Sequence, residues 1–205
     1  VEPYASIKNS TKSIYNFLQE QGFRAIQQRI ENNSFINNVS LNGDNKTSNN
    51  KKATLNHITI NKLNKLNEII SEIKNLGFVS IDTETNSIDV EKAELVGISI
   101  CFDEKNAFYI PIHHKNPETN RILKNQISQN EVIKLINAIC SDESILKIGQ
   151  NLKYDMRILK KYNVTFNSVD DTMLLSYALD NGLTRHGMDD LAYRHLNYTT
   201  IKFKD

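Results

Sequence analysis

The sequence predicts an α/β fold in which a mixed sheet is flanked by helices. Residues 61–76 carry apolar side chains at helical spacing and stop at Gly77, a residue suited to end a helix. Three strand-like runs follow, at 78–84, 93–102 and 107–112. Beyond them, helical patterns alternate with another strand-like run. A meander of strands followed by strand and helix alternation is typical of a mixed sheet covered by helices.

The second half of this region begins with a capping box. Ser128 and Glu131 have the spacing of that motif, which predicts the start of a helix. The remaining elements are predicted as a strand at 144–149, then helices at 151–162, 171–180 and 188–196. The helix at 151–162 directly follows a strand, so its first turn is expected at a strand end of the sheet, where open α/β sheets collect their ligands.

The first 56 residues differ in texture from the rest. Residues 1–30 contain apolar positions at helical spacing within 11–30, interrupted near Gly22, which is too little to form a domain. Residues 31–56 are rich in Asn, Ser and Lys and are predicted to be a disordered linker, because such a segment cannot bury enough apolar surface. The predicted folded domain therefore covers residues 57–205.

The composition is that of an ordinary globular protein. Of 205 residues, 39% are hydrophobic and 24% charged, with 25 Lys and Arg against 24 Asp and Glu. This balance does not exclude a nucleic-acid partner, since sites that hold metal ions are locally acidic. No apolar run reaches the roughly 18 residues of a membrane span, so a cytoplasmic protein without a membrane partner is expected. Cys101 and Cys140 are predicted to be core thiols rather than a disulfide.

Acidic residues gather at two predicted strand ends. Asp82 and Glu84 lie two residues apart in a strand and therefore point to the same side. Asn151 and Asp155 have the i, i+4 spacing of one helical face at the start of the next helix. A D-x-E pair alone is more often part of a solvated turn than a metal site. The second pair, Asn151 and Asp155, is what favours a metal site here. Oxygen-only ligands favour Mg²⁺ or Mn²⁺ over Zn²⁺.

Four segments are recognisable together: FVSIDTETNSID, LKIGQNLKYDMRIL, DTMLLSYALD and RHGMDDLAYRHL. In this order they resemble the proofreading 3′–5′ exonuclease domain of bacterial family A DNA polymerases, within the DEDD exonuclease superfamily and its ribonuclease H-like fold. The resemblance covers residues 57–205. Residues 1–30 look like the helical end of the 5′-nuclease region that precedes this domain. The resemblance implies a larger parent chain that also contains a polymerase domain.

The resemblance also implies residue roles. Asp82, Glu84 and Asp155 would hold two Mg²⁺ or Mn²⁺ ions and hydrolyse the last phosphodiester bond at a DNA 3′ end. Positions that match contacts to the single strand are Ile88, Asn151, Tyr154, Arg185 and Phe203. Such contacts are indifferent to base sequence, as proofreading requires.

Simpler interpretations of these residues stay open. Ile88 and Phe203 could be core side chains, Tyr154 a helix-face aromatic and Arg185 a solvated loop charge.

Other polar residues are explained by structural roles or have little support as site residues. Asp171 and Asp189 stand where helices begin and are predicted to cap them or to complement their dipoles. His113 and His114 have no partner at ligand spacing, and His186 has only weak support as a DNA contact.

The family pattern has one element that these residues lack. Its fourth acid comes from a Tyr-x-x-x-Asp motif beyond the position of Phe203, and no such motif occurs in residues 1–205. We therefore expect the C-terminal helix of the fold to be missing, with weak activity and self-association through the uncovered sheet face. A non-catalytic DNA-binding or structural module is the alternative function, and an exoribonuclease is a third.

Overall fold

The computed structural model describes residues 11–23, 26–27, 55–180 and 185–201. The chain divides into two compact units, residues 51–175, and residues 1–50 together with 176–205. The linker predicted at 31–56 falls almost entirely outside the described residues. Its last residue, Asn56, begins the first strand. None of the helices in the described part of the chain is both long and apolar enough to cross a membrane.

The larger unit is built on a six-stranded mixed sheet, which confirms the predicted α/β class. The strands are β1 (Asn56–Thr59), β2 (Phe78–Thr85), β3 (Leu95–Cys101), β4 (Asn106–Pro111), β5 (Leu146–Gly149) and β6 (Val169–Asp171). Their spatial order is β1-β4-β3-β2-β5-β6. The β2–β3 and β3–β4 pairs are antiparallel, whereas β1–β4, β2–β5 and β5–β6 are parallel.

Two edge strands, β1 and β6, were not predicted from the sequence. They contain four and three residues, too few to show a periodic apolar pattern. Each forms because a neighbouring strand offers free backbone groups: β1 pairs with β4 and β6 pairs with β5. The site-bearing strand β2 is consequently central, with β3 on one side and β5 on the other.

Strand β2 separates a buried face from an exposed one. Val79, Ile81 and Thr83 are buried, while the alternate residues are exposed, namely Phe78, Ser80, Asp82 and Glu84. This alternation follows from the two-residue period of a strand. Self-association through the exposed face stays a prediction.

Three helices of this unit are α2 (Leu63–Leu76), α3 (Gln129–Cys140) and α4 (Lys153–Lys160). Helix α2 contacts α3 and β2, and α4 also contacts β2. As predicted, α2 stops at Gly77, whose φ of 78° is left-handed and whose N–H donates to the Ile73 carbonyl at 2.9 Å. Their buried side chains join those of the sheet in one core, including Leu66, Ile69, Ile73, Val132, Ile136, Ile139, Ile158 and Leu159.

The start of α3 differs in detail from the predicted capping box. Ser128 is the residue before the helix, but its hydroxyl donates to the Glu131 carboxylate at 2.6 Å and caps no backbone N–H. The two side chains satisfy each other instead of the helix end. Both cysteines are free thiols; Cys140 is buried in the core as predicted, whereas Cys101 is only half-buried and lies outside the core. Burial raises the pKa of Cys140 to about 12, which makes this thiol unreactive.

The remaining helices are α1 (Thr11–Glu20), α5 (Thr172–Asp180) and α6 (Met188–Leu196). Helix α1 ends just before Gly22, whose φ of 69° explains the predicted interruption. Asp189 lies in the first turn of α6, where its charge complements the helix dipole as predicted. His186 is buried against the Tyr177 ring, with ring centroids 3.8 Å apart, and its Nδ1 is 2.8 Å from the Ser176 hydroxyl. A direct DNA contact by His186 is therefore not supported.

Candidate active site

The predicted acidic pair stands at the end of β2. Asp82 and Glu84 are both on the exposed face, opposite Ser99 and Gly97 of β3 in the antiparallel register. The register shifts immediately after Glu84, between Glu84 and Thr85, and only the Thr85–Leu95 pair follows this irregularity. Both carboxylates thus project from the C-terminal half of a central strand, beyond its pairing with β5, which ends at Ser80.

The third predicted acid, Asp155, is fixed to the same strand. It lies in the first turn of α4 and is only 2% exposed. Its Oδ1 accepts two hydrogen bonds from Thr83, one from the backbone N–H at 2.8 Å and one from the hydroxyl at 2.6 Å. Because Thr83 stands between Asp82 and Glu84, these two bonds hold α4 against the acidic end of β2.

The other two predicted acids influence the ionisation of Asp82. The pKa of the Asp82 carboxyl is raised to about 6, chiefly by partial burial and additionally by the charges of Asp155 and Glu84. Burial is also the main cause that raises the pKa of Asp155, against the lowering effect of the Thr83 hydrogen bonds. Asp82 is therefore a carboxyl whose ionised form is held at a cost.

A divalent cation would relieve that cost, and the donor chemistry fits one. All three candidate ligands offer carboxylate oxygen, the preferred donor of Mg²⁺ and Mn²⁺. Two of them, Asp82 and Glu84, are exposed and can adjust, while Asp155 is anchored by Thr83. They do not form a closed ligand cluster, because within the described ranges no three His, Cys, Asp or Glu side chains are arranged to hold a metal ion.

Asp171 joins the ends of two helices close to this site. Its Oδ1 accepts from the Met173 N–H at 2.9 Å, which confirms the predicted cap of α5. Its carboxylate also accepts from the N–H groups of Asn151 at 3.0 Å and Leu152 at 2.8 Å, just before α4. One carboxylate therefore fixes the entry to α4, a role that the sequence did not indicate.

Asn151 is not on the helical face where its spacing placed it. Helix α4 begins at Lys153, and Asn151 precedes it with a left-handed φ of 56°. Asn is one of the few residues that adopt this conformation readily, and the N–H bond to Asp171 holds it there. Asn151 therefore lies in a turn before α4, and it does not share a helical face with Asp155.

Of the other predicted DNA contacts, Ile88 is 96% exposed, a large apolar side chain in open solvent next to the acidic strand end. Tyr154 is half-buried, and its hydroxyl donates to the Ser87 carbonyl at 2.7 Å. Arg185 is exposed. Phe203 lies outside the described residues.

A tyrosine and histidine pair beside Glu84 was missed from the sequence. The Tyr109 hydroxyl is 2.6 Å from His114 Nε2, and the two rings meet edge to face. Tyr109 lies across Gly97, the β3 residue opposite Glu84. Burial, followed by the charge of Glu84, raises the pKa of Tyr109. The sequence signal that could have revealed this pair is Gly97, because a glycine within a strand leaves room for a large side chain from the neighbouring strand.

Gly97→Ala is expected to destabilise the protein by about 1–3 kcal/mol, the usual range for overpacking. A Cβ at position 97 would lie 2.1 Å from the Tyr109 hydroxyl oxygen and 2.5 Å from its ring, so the ring must move and lose His114. Urea denaturation measures the change. Gly187→Ala is the matched control, because the nearest atom to a Cβ there is 3.7 Å away. Equal effects of the two substitutions would contradict close packing at Gly97.

The sheet order and the flanking helices define the fold class of this protein, the ribonuclease H-like α/β fold. Solved structures of this class have the same fold at low sequence identity. RNase D of Escherichia coli has a TM-score of 0.55 and 17% identity, covering 73% of this chain and 36% of that one. RNase D of Trypanosoma brucei in complex with RNA U12 has a TM-score of 0.58 and 16% identity, covering 72% and 49%.

Sequence comparison defines the family within this class. A 3′–5′ exonuclease family model, that of family A DNA polymerases, matches residues 57–205, and the chain belongs to this family. It is 40% identical over 162 residues to DNA polymerase I of Rhizobium leguminosarum, covering 73% of this chain and 16% of the relative. It is 35% identical over 142 residues to DNA polymerase I of Pseudomonas aeruginosa, covering 66% and 15%. The chain thus spans a small part of the length of these relatives.

Proposed function

We propose that residues 57–205 act as the proofreading 3′–5′ exonuclease of a DNA polymerase I, removing the terminal nucleotide from a DNA 3′ end by hydrolysis. One observation supports the proposal, namely that the pKa of Asp82 is raised by burial and also by the charges of Asp155 and Glu84. Repelling carboxylates lower stability, and active sites are where such a cost is retained. A purely structural module has no use for this arrangement.

The proposed site holds the scissile phosphodiester between a fixed and an adjustable set of oxygens. Asp155, restrained by Thr83, provides a stationary edge, and the exposed Asp82 and Glu84 form the open edge. Two divalent cations bound by these residues would supply an activated water and stabilise the entering and leaving oxygens. The side chains of this chain would keep those oxygens aligned with the terminal phosphate.

The single DNA strand whose 3′ end is cleaved is proposed to contact Ile88, Asn151, Arg185 and Phe203. Ile88 offers an almost fully exposed apolar surface for a base, a contact that every base can make. Arg185 is an exposed cation suited to phosphate. Binding of this type has little dependence on base sequence, which fits removal of any mispaired terminus.

The same proposal assigns the partners of the chain. Its relatives are DNA polymerase I proteins of which it covers only 16% and 15%, so a polymerase domain in the same parent polypeptide is proposed as its functional partner. A protein of this kind would work on DNA in the cytoplasm. A fourth acid and a tyrosine from a Tyr-x-x-x-Asp motif elsewhere in that parent would complete the site.

The function is tested with single-stranded DNA labelled at its 5′ end, incubated with Mg²⁺ or Mn²⁺. A polypeptide extended by the following parent sequence is expected to shorten the DNA from its 3′ end, and the 205-residue chain is expected to do so more slowly. The Asp155→Asn variant of the extended polypeptide is the inactive control. Binding without shortening would support the non-catalytic module instead, and faster shortening of an RNA of the same sequence would support an exoribonuclease.

A further inference from the structure

The connection between β2 and β3, residues 86–94, carries Ile88 and is called the Ile88 loop here. The loop has no regular secondary structure, and Ile88, its third residue, is 96% exposed. An exposed apolar side chain binds a base well only if its backbone is held in place, since ordering a mobile loop on binding costs conformational entropy. The contacts of the Ile88 loop therefore determine what Ile88 can do.

The loop is closed at its base by two side chains. Asn86 Oδ1 accepts from the Glu94 N–H at 2.8 Å, and Asn86 Nδ2 donates to the Glu94 carboxylate at 3.0 Å. Inside the loop, the Asp89 carboxylate accepts from the Glu91 N–H at 3.1 Å, and the Asp89 carbonyl accepts from the Ala93 N–H at 2.8 Å. These bonds fix the path of the backbone on both sides of Ile88.

The loop is also attached along one flank of α4. Tyr154 Oη donates to the Ser87 carbonyl at 2.7 Å, directly before Ile88. Arg157 forms a 2.7 Å ion pair with Glu91.

Two residues that directly follow α4 continue this row of contacts. Lys161 Nζ donates to the carbonyls of Glu91 at 3.2 Å and Ala93 at 2.9 Å. The Tyr162 hydroxyl accepts from the Leu95 N–H at 3.2 Å. Together with Tyr154 and Arg157, these side chains attach the loop from its first residues to its last.

The helix that holds the loop also carries a catalytic-site carboxylate. Tyr154 is adjacent to Asp155 in α4. Tyr154 binds Ser87 of the Ile88 loop, and Asp155 binds Thr83 near the end of β2. A cavity of about 690 Å³ lies along another part of α4 and is lined by Lys153, Met156, Lys160 and also Arg157, but not by Tyr154. Helix α4 therefore sets the position of the Ile88 loop relative to the acidic strand end.

We infer that Tyr154, Arg157 and Lys161 are positioning residues that hold Ile88 at a fixed place beside the acidic site, and that Tyr154 acts through Ser87 instead of contacting DNA. The inference rests on the proposed function for the role of Ile88 in binding DNA. It differs from the expectation that Tyr154 touches the strand. Its physical basis is that the Tyr154 hydroxyl is already engaged with Ser87 and is 2.6 Å from the Thr85 hydroxyl.

The first test measures the loop without DNA. Amide hydrogen exchange of residues 86–94 is expected to accelerate by about tenfold in Tyr154→Phe, because one loop anchor is lost. Arg157→Glu should give a similar local increase, and the exchanged pair Arg157→Glu with Glu91→Arg should restore slow exchange. Lys160→Ala is the control, an exposed residue of α4 that lines the cavity and, among the described residues, forms no hydrogen bond to the loop. Unchanged exchange in Tyr154→Phe and Arg157→Glu would overturn the inference.

The second test is a double-mutant cycle on binding of a single-stranded oligonucleotide, measured by fluorescence anisotropy. Tyr154→Phe is expected to weaken binding several-fold in the native background and by less than twofold in the Ile88→Ala background. An equal effect in both backgrounds would show that Tyr154 contacts DNA itself and would overturn the inference. If no variant binds DNA, including the native chain, the proposed function fails, and the exchange experiment still decides whether the loop is held by α4.

Discussion

Asp82→Asn is expected to raise the free energy of unfolding at neutral pH by about 0.5–2 kcal/mol and to abolish cleavage of DNA. The pKa of Asp82 is raised to about 6 by burial and by the charges of Asp155 and Glu84. A shift of one pKa unit corresponds to about 1.4 kcal/mol, but Asp82 is exposed on one side, so solvent screening reduces the stabilisation well below the full shift. An amide removes the charge and keeps the shape.

The sign of the effect gives it a characteristic pH dependence. A carboxyl whose pKa is higher in the folded than in the unfolded state binds a proton more tightly in the folded state. The free energy of unfolding therefore falls as pH rises through this range. For Asp82 the loss occurs between the ordinary value of 3.8 and about 6, and it is complete above that range. The stability difference between Asp82→Asn and the native chain should therefore be small near pH 4 and reach its full value above pH 6.

Chemical denaturation of the metal-free proteins at several pH values measures this difference. Glu104→Gln is the control, an exposed carboxylate in the turn between β3 and β4. Mn²⁺ binding, followed by calorimetry, should weaken in Asp82→Asn and stay unchanged in Glu104→Gln. A destabilised Asp82→Asn variant with native Mn²⁺ affinity would show that the three carboxylates do not share a cation site.

The parts of the site that depend on local periodicity were predictable from the sequence. The two-residue period of β2 places Asp82 and Glu84 on one exposed face, as observed. The stop of α2 at Gly77 and the cap of α5 by Asp171 are equally local, since each depends on the backbone preference of one residue. Such features need only a few neighbouring residues to be specified.

The features that depend on contacts distant in the chain were not predictable. Asp155 is buried because it satisfies Thr83, which is 72 positions away. Lys147 is fully buried in β5, and its ammonium donates to the Asp142 carbonyl at 2.7 Å, a pairing that no apolar pattern indicates. The i, i+4 spacing of Asn151 and Asp155 suggested one helix, but the bond from Asn151 to Asp171 holds a turn there.

The burial of Asp155 leads to an effect of opposite sign from that of Asp82. Asp155→Ala is expected to lower the free energy of unfolding by about 2–4 kcal/mol, because it leaves the N–H and hydroxyl of Thr83 without their acceptor in a buried place. The lost contact also releases the first turn of α4 from β2. Thermal and urea denaturation of the metal-free chain measure the change.

Asp155→Asn separates the hydrogen bonds from the charge. An Asn oxygen can accept both Thr83 bonds, and an amide avoids the cost that raises the pKa of the buried Asp155 carboxyl. Its stability should therefore stay within about 1 kcal/mol of the native chain, while Mn²⁺ affinity falls as much as in Asp155→Ala. Thr83→Val, which removes only the hydroxyl donor, should lie between the two in stability. If Asp155→Ala were as stable as the native chain, Asp155 would not be the link between α4 and β2, and its burial would need another cause.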